Sequence, residues 1–202
     1  MIKLYKLTDG DGKTRNDTQW GPGVSHSGTG EGELCGWGWI HAYEHPLIAV
    51  LMNPIHARVK TPRLWEAEGE VGLRDGQFKC GCKTLTTVRE IPLPSITTEM
   101  RVRFAIMCAQ EVCACPSWNA WADKWLSGED RSEAAAGAAA EAAWAARAAR
   151  AARAAEAAAA WAARSAYAAQ AAAEAARAAG HGIDIFDIAE EACSGVHTFE
   201  VV

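Results

Sequence analysis

Residues 134–179 read AAAGAAAEAAWAARAARAARAAEAAAAWAARSAYAAQAAAEAARAA, a run that is mostly alanine, contains no proline and has one glycine, Gly137. Alanine loses no side-chain entropy in a helix and is the best helix former. One unbroken helix over this run would be about 70 Å long. The sequence therefore predicts a long alanine-rich helix, or a helical hairpin, and the rest of the chain is organised around it.

The larger side chains of this run recur at every third position. A period of 3 does not match 3.6 residues per turn, so these side chains spiral around the helix and form no fixed apolar stripe. Three interpretations stay open: a solvated rod, self-association through the small alanines, and a partner-binding surface. The candidate binding residues are Trp144, Arg147, Arg150, Arg153, Trp161, Arg164 and Tyr167.

The charged residues and the first five residues of the chain bear on whether the protein meets a membrane or nucleic acid and on its compartment. Charged residues such as Arg147 and Glu156 interrupt every apolar window of the alanine run, so we expect no membrane span. The net charge of −5 and the dispersed arginines argue against a nucleic-acid partner. The first residues, Met1 to Tyr5, lack the apolar region of a signal peptide, which favours the cytoplasm.

Changes in composition along the chain predict four segments, of which the alanine-rich run is the third. We expect an α+β domain over residues 1–95, a helical bridge over 96–128, the alanine-rich region over 129–180, and a short helix with a strand-like tail over 181–202. Within the bridge, Trp118, Trp121 and Trp125 have helical spacing and are typical of a core stripe.

The N-terminal domain combines strand patterns with one short helix. Residues 2–8, 13–20, 63–71 and 78–91 are predicted strands of a small mixed or antiparallel sheet. Residues 47–52 are predicted as an apolar helix behind Pro46. Residues 35–42 are predicted as a buried strand. The Gly/Ser-rich residues 21–32 are predicted as a loop, either a lid or a partner-binding loop.

The seven cysteines are expected to be reduced thiols, since their number is odd and no secretory signal precedes them. Two C-x-C pairs provide a weak alternative, a zinc site, although zinc ligands usually come in C-x2–4-C spacing. The preferred interpretation is that these cysteines are small buried hydrophobic residues, and that the protein needs no cofactor. The four cysteines concerned are Cys80, Cys82, Cys113 and Cys115.

Three segments, Leu4-Tyr5-Lys6, Gly36–Ala42 with its following proline-led helix, and Leu64–Glu68, resemble in their order the ADP-ribosyltransferases. The resemblance covers about a third of the chain and implies an NAD-using enzyme. Lys6 stands where that family has an Arg or His on the first strand. The residues that it would place near the nicotinamide are His41, Tyr43, Glu66 and Glu68.

The segments Gly32-Glu-Leu-Cys-Gly36 and Trp39-Ile-His-Ala42, followed by the alanine-rich run, resemble uncharacterised bacteriophage-encoded proteins. That resemblance implies a phage setting and no catalytic residues. Because no catalytic set is complete, we expect a non-enzymatic accessory protein that binds another protein of host or phage, as an inhibitor of a bacterial defence system. The alternatives are the NAD-using enzyme and a virion component with a helical spacer. We also expect the protein to be a homo-oligomer.

Overall fold

A computed structural model describes residues 1–53, 56–57, 59–113, 115–138 and 183–194 of the 202-residue chain. The fold is α+β, with an antiparallel sheet and several helices. The chain forms two compact units, Met1–Ser95 and Ile96–Val202, which are described separately below.

The first unit contains the sheet and one short helix. Its main sheet has the order β1-β6-β7-β4, with β5 also paired to β7, and β2 pairs with β3 in a separate hairpin. Every strand pair among the described residues is antiparallel. The elements are β1 (Ile2–Thr8), β2 (Lys13–Thr14), β3 (Thr18–Gln19), β4 (Ser25–Ser27), β5 (Ile40–Ala42), α1 (Pro46–Leu51), β6 (Arg63–Asp75) and β7 (Lys79–Ile91).

A backbone pair between Tyr5 and Tyr43 closes the sheet on itself. The Tyr5 amide donates to the Tyr43 carbonyl at 2.7 Å, and the Tyr43 amide donates to the Tyr5 carbonyl at 2.9 Å. Tyr43 directly follows β5, which pairs with β7, and Tyr5 lies on β1, which pairs with β6. The strands β1, β6, β7 and β5 therefore form a closed ring, so that these strands keep few free edges.

The interior of this ring holds one buried cluster of the unit. Alternate residues of each strand point to opposite faces, and register places Leu4 beside Ala67 and Cys80 beside Ala42 on the inner face. Glu66, Glu68 and Glu70 have the opposite parity on β6. The buried cluster consists of Leu4, Trp20, Ala42, Ala67, Cys80, Cys82 and Leu85.

The structure corrects the sequence prediction between residues 13 and 42. Only Ile40–Ala42 of the predicted strand 35–42 is a strand, because Gly36 and Gly38 allow the preceding residues to form a loop. The predicted loop 21–32 contains the short strand β4. The predicted second strand, residues 13–20, folds instead as the β2–β3 hairpin around a 3-10 turn at Arg15–Asp17.

The second unit is helical in its described part. Helix α2 (Thr98–Gln110) is capped at its N-terminus by Thr97, whose side chain accepts a hydrogen bond from the Met100 amide. Helix α3 (Pro116–Ser127) ends at Gly128, which has φ +83°. Helix α2 packs against both α3 and the Ile185–Ser194 helix. The predicted tryptophan stripe, Trp118, Trp121 and Trp125, is buried as expected.

The alanine-rich run is described only at its start, where residues 133–138 are helical. The side chain of Ser132 accepts a hydrogen bond from the Ala135 amide at 3.2 Å and so caps this helix. Asp130 accepts a hydrogen bond from the Ser132 amide at 2.9 Å. The predicted long helix or hairpin beyond residue 138 and the predicted tail at 196–202 lie outside the described residues.

Candidate functional site

The glycine-rich loop of residues 28–39, called the tryptophan loop below, is attached to the sheet along its length. The Gly28 amide donates to the Lys83 carbonyl at 2.8 Å, and the Gly30 amide donates to the Gly38 carbonyl at 2.9 Å. The indole N–H of Trp39 donates to the Gly32 carbonyl at 2.9 Å. These bonds join both arms of the loop to each other and to β7, so the loop has a defined conformation.

Two glycines of the β6–β7 hairpin form the floor under this loop. A methyl group added at Gly72 would lie 2.3 Å from Cζ3 of Trp39. A methyl group added at Gly81 would lie 2.6 Å from Cδ1 of Leu34 and 3.0 Å from Cβ of Trp39. Both approaches are closer than van der Waals contact. The absence of side chains at these two positions therefore permits the loop to lie directly on the strands.

The loop exposes one tryptophan and buries the other. Trp39 is only 8% exposed, whereas the side chain of Trp37, two residues earlier, is 90% exposed. Leu73, on the hairpin strand next to the glycine floor, is also exposed. Cys35 is exposed in the same loop, and Nζ of Lys79 lies 3.0 Å from its sulfur. An indole presented to solvent on an anchored loop is the feature of this unit that most resembles a binding site.

Lys6 is the buried charged side chain of the ring interior. It lies on the inner face of β1 and is 7% exposed. Its Nζ donates to the His41 carbonyl at 2.6 Å and lies 4.9 Å from the ring centroid of Trp20. Burial lowers the pKa of Lys6 from 10.5 to about 8, because desolvation disfavours the ammonium form.

Cys80 and Cys82 lie beside this lysine on the inner face of β7, and both are fully buried. A hydrogen bond from the Cys80 thiol lowers the pKa of Cys82, and the nearby Lys6 ammonium lowers it further. The same hydrogen bond and burial raise the pKa of Cys80.

The cysteines of the weak zinc alternative lie in different units. Cys113 and Cys115 are buried in the second unit, and the sulfur of Cys115 lies 3.3 Å from the hydroxyl of Ser117. Within the described parts of the chain, no group of three or more His, Cys, Asp or Glu side chains is arranged to hold a metal ion.

His41 and Tyr43 flank Ala42, and their side chains bond to different partners. The His41 ring donates through Nε2 to the Leu34 carbonyl and so holds the tryptophan loop. Burial lowers the pKa of His41, and the charges of Lys79 and Lys6 contribute in the same direction. The buried hydroxyl of Tyr43 lies 3.4 Å from Nδ1 of His56, and burial raises the pKa of Tyr43.

Glu66 and Glu68 project from the outer face of β6. Glu66 lies 2.8 Å from Lys3 Nζ and 2.5 Å from Arg89 Nη2, and the Lys3 hydrogen bond lowers the pKa of its carboxyl group. Glu68 is exposed. The polar atoms of His41, Tyr43 and Glu66 thus each bond to a different neighbour, and register keeps the strand of Tyr5 between Tyr43 and Glu66.

The sequence analysis did not predict the exposure of Trp37 or the burial of Lys6. Trp37 falls within a predicted buried strand, although its flanking residues Gly36 and Gly38 are a signal for a loop. Lys6 stands out in the sequence only for its position on the first strand. Its parity with Leu4 is the signal that it points inward. The seven candidate binding residues of the alanine-rich run, Trp144 to Tyr167, lie outside the described residues.

Comparisons with protein families, with curated proteins and with solved structures found no match to this chain. Within the described residues, none of the helices has the length and apolar character needed to cross a membrane.

Proposed function

We propose that this protein acts by binding another protein, with Trp37 as the central contact. The observation that carries the proposal is the 90% exposure of an indole on a loop that is bonded to its own sheet. Tryptophan is enriched among the residues that contribute most binding energy at protein interfaces. A loop already held in one conformation loses little conformational entropy when it binds.

The chemistry around Trp37 indicates the kind of surface that it fits. An exposed indole requires an apolar pocket on the partner, with an acceptor for its N–H at the rim. Glu31 and Glu33 are exposed in the same loop, and Lys79 lies beside Cys35. The partner surface would thus combine a central apolar pocket with a polar rim of both charges, the usual arrangement of a non-obligate interface.

The biological setting of this binding follows from the sequence resemblance. In a phage-infected cell the partner would be a host or phage protein in the host cytoplasm, with a component of a bacterial defence system as the leading candidate. A second copy of the chain is the partner that would make the protein a homo-oligomer. The alanine-rich run, as a long helix or helical hairpin, would provide a spacer or a second contact surface.

A capture experiment with matched variants tests the proposal. Tagged full-length protein is used as bait in bacterial lysate beside Trp37→Ala and, as control, Val88→Ala, which alters an exposed apolar side chain on β7. We expect a stoichiometric partner with wild type and Val88→Ala, and its loss with Trp37→Ala. Undiminished capture by Trp37→Ala would show that binding occurs elsewhere.

Self-association is tested separately by light scattering of the purified proteins. If a second copy occupies the Trp37 surface, wild type and Val88→Ala will be oligomeric and Trp37→Ala will be monomeric at the same concentration. An oligomer that persists in Trp37→Ala would assign the contact to another surface, and a variant truncated after Gly128 would then test the alanine-rich run.

A further inference from the structure

Strand β4 lies at the edge of the main sheet. It stands at the end of the strand order, outside the ring of β1, β6, β7 and β5, and one of its sides pairs with β7. Both serines of this strand, Ser25 and Ser27, are exposed. The side of β4 that faces away from β7 is called the β4 edge below, and it is separate from the Trp37 surface.

The hydrogen bonds that flank β4 show which of its backbone groups point to the β4 edge. The Val24 carbonyl accepts a hydrogen bond from β7 at 2.9 Å, and the Gly28 amide donates one to β7 at 2.8 Å. In an antiparallel ladder, residues bonded to the neighbouring strand alternate with residues whose backbone groups point to the other side. Ser25 and Ser27 lie at these alternate positions, so their amides and carbonyls point away from β7.

These outward backbone groups are open for pairing. Within the part of the chain that the structure describes, they bond to no other group. The Thr86 hydroxyl donates to the Ser25 hydroxyl at 3.0 Å, which holds that side chain on the sheet face and leaves its backbone at the edge. The strand contains no lysine, proline or bulge, the usual features that protect an edge from pairing. Alternating amides and carbonyls of this kind are complementary to another extended strand.

The β4 edge is complementary to itself. Its sequence, Ser25-His26-Ser27, reads the same in both directions and carries no lysine, arginine or carboxylate. If two copies pair antiparallel about a two-fold axis at His26, Ser25 of one copy lies opposite Ser27 of the partner subunit. Both serines direct their backbone groups to the edge, so this register makes them hydrogen-bonded pairs. Nε2 of His26 lies 2.8 Å from the Gln19 carbonyl of its own chain.

We propose that two copies of this chain associate through β4, paired antiparallel about His26, so that one sheet continues through both copies. The contact does not involve Trp37, which stays available for the other protein that the proposed function requires. An edge strand of three residues makes a small contact, so the dimer should depend on protein concentration.

Light scattering and amide exchange by NMR test the contact in the full-length protein, from about 10 μM to about 1 mM. Wild type should shift from monomer to dimer over this range. The amides of Ser25 and Ser27 should then exchange more slowly, whereas the Gly28 amide, already bonded to β7, should not change. Wild type that stays monomeric would overturn the proposal and leave the edge to a strand of another protein. A dimer in which the two serine amides still exchange fast would also overturn it.

A proline substitution separates the contact from the fold. Ser27→Pro removes a donor at the β4 edge and no hydrogen bond of the β4–β7 ladder, so the protein should fold and be monomeric. Trp37→Ala should remain dimeric, which distinguishes failure of this proposal from failure of the proposed function. A dimer of Ser27→Pro with the wild-type concentration dependence would assign the contact to another surface.

Paired charges test the register and leave the backbone unchanged, so they also decide the matter if Ser27→Pro does not fold. Ser25→Lys combined with Ser27→Lys places like charges opposite each other in the two copies and should abolish the dimer. Ser25→Glu combined with Ser27→Lys places opposite charges there and should retain it. Both positions are exposed, so both double variants should fold. Equal dimerisation of the two double variants would overturn the antiparallel pairing about His26.

Discussion

Trp39 lies directly against Gly72, at a distance that leaves no room for a Cβ atom. The added carbon would be 2.3 Å from Cζ3 and 2.5 Å from Cη2 of the indole. Because the indole also donates to the Gly32 carbonyl, it links the glycine floor to the tryptophan loop. The conformation of the loop, and with it the display of Trp37, thus depends on the missing side chain of Gly72.

Gly72→Ala should therefore release the loop. We expect a loss of about 1–3 kcal/mol in the free energy of unfolding, as for other overpacked sites. The amides of Gly30 and Gly36, which donate to the carbonyls of Gly38 and Glu33, should exchange faster with deuterium. Urea unfolding and hydrogen exchange of the full chain measure both effects.

The control for this substitution is Gly21→Ala, because a methyl group there would meet only Val24, at an ordinary 3.7 Å. Gly21→Ala should leave the exchange of the Gly30 and Gly36 amides unchanged. If Gly72→Ala behaves like the control, Trp39 does not depend on the glycine floor.

The two tryptophans of the loop should respond oppositely to truncation. Trp39→Ala removes a buried side chain and should cost about 3–5 kcal/mol of stability. Trp37→Ala removes an exposed one and should change the stability by no more than about 0.5 kcal/mol. Urea unfolding followed by circular dichroism checks both values. A large loss of stability in Trp37→Ala would mean that Trp37 serves the fold, and its binding role would then need a different argument.

The sequence predicts local elements better than their assembly. The alternation along β6 and the turn at Gly76 are sufficient to predict the β6–β7 hairpin. The pattern at residues 35–39 is misleading, since Gly-Trp alternation has the period of a strand but here forms a loop. Closure of the ring depends on the backbone pair Tyr5–Tyr43, which is a long-range contact. The residues around each tyrosine do not indicate that the two pair.

The same limit explains why the candidate catalytic residues are not assembled as expected. The sequence analysis placed His41, Tyr43 and Glu66 in one site only because of the order of their segments along the chain. In the fold, His41 bonds to the tryptophan loop and Glu66 lies between Lys3 and Arg89 on the outer face. Order along the chain specifies residue types but not the face on which each side chain emerges.

Lys6 should make stability depend on pH in the alkaline range. Its folded-state pKa, about 8, lies below the unfolded value of 10.5, so the unfolded chain binds more protons between these two values. The cost of burying the charge is present in full below pH 8, and stability rises as the pH increases from about 8 to 10.5. Lys6→Met should remove this cost, which is on the order of 3 kcal/mol at pH 7.

Urea unfolding at pH 7, 8.5 and 10 measures this prediction in the reduced protein. Lys60→Met, which changes an exposed lysine in the same unit, is the control. The stability difference between Lys6→Met and wild type should shrink as the pH rises, whereas the difference for Lys60→Met should stay constant. A lower stability of Lys6→Met at pH 7 would mean that the contacts of Nζ with His41 and Trp20 outweigh the cost of burial.

Gly128 and Gly137 should respond to alanine with opposite signs, because they occupy different helical positions. Gly128 ends α3 with φ +83°, and its amide donates to the Trp125 carbonyl, so alanine there should destabilise by about 1–2 kcal/mol. Gly137 lies within the helical residues 133–138 with open space around it, so alanine there should stabilise by about 0.5–1 kcal/mol.

The two substitutions control each other, since both add one methyl group to the second unit. Urea midpoints of the full-length variants, read by far-UV circular dichroism, should move in opposite directions from wild type. The helicity of Gly137→Ala should increase if the helix that begins after Ser132 continues into the alanine-rich run, as the sequence predicts. A shift of both midpoints in the same direction would contradict the helical assignment at Gly137, and with it the point from which the predicted long helix starts.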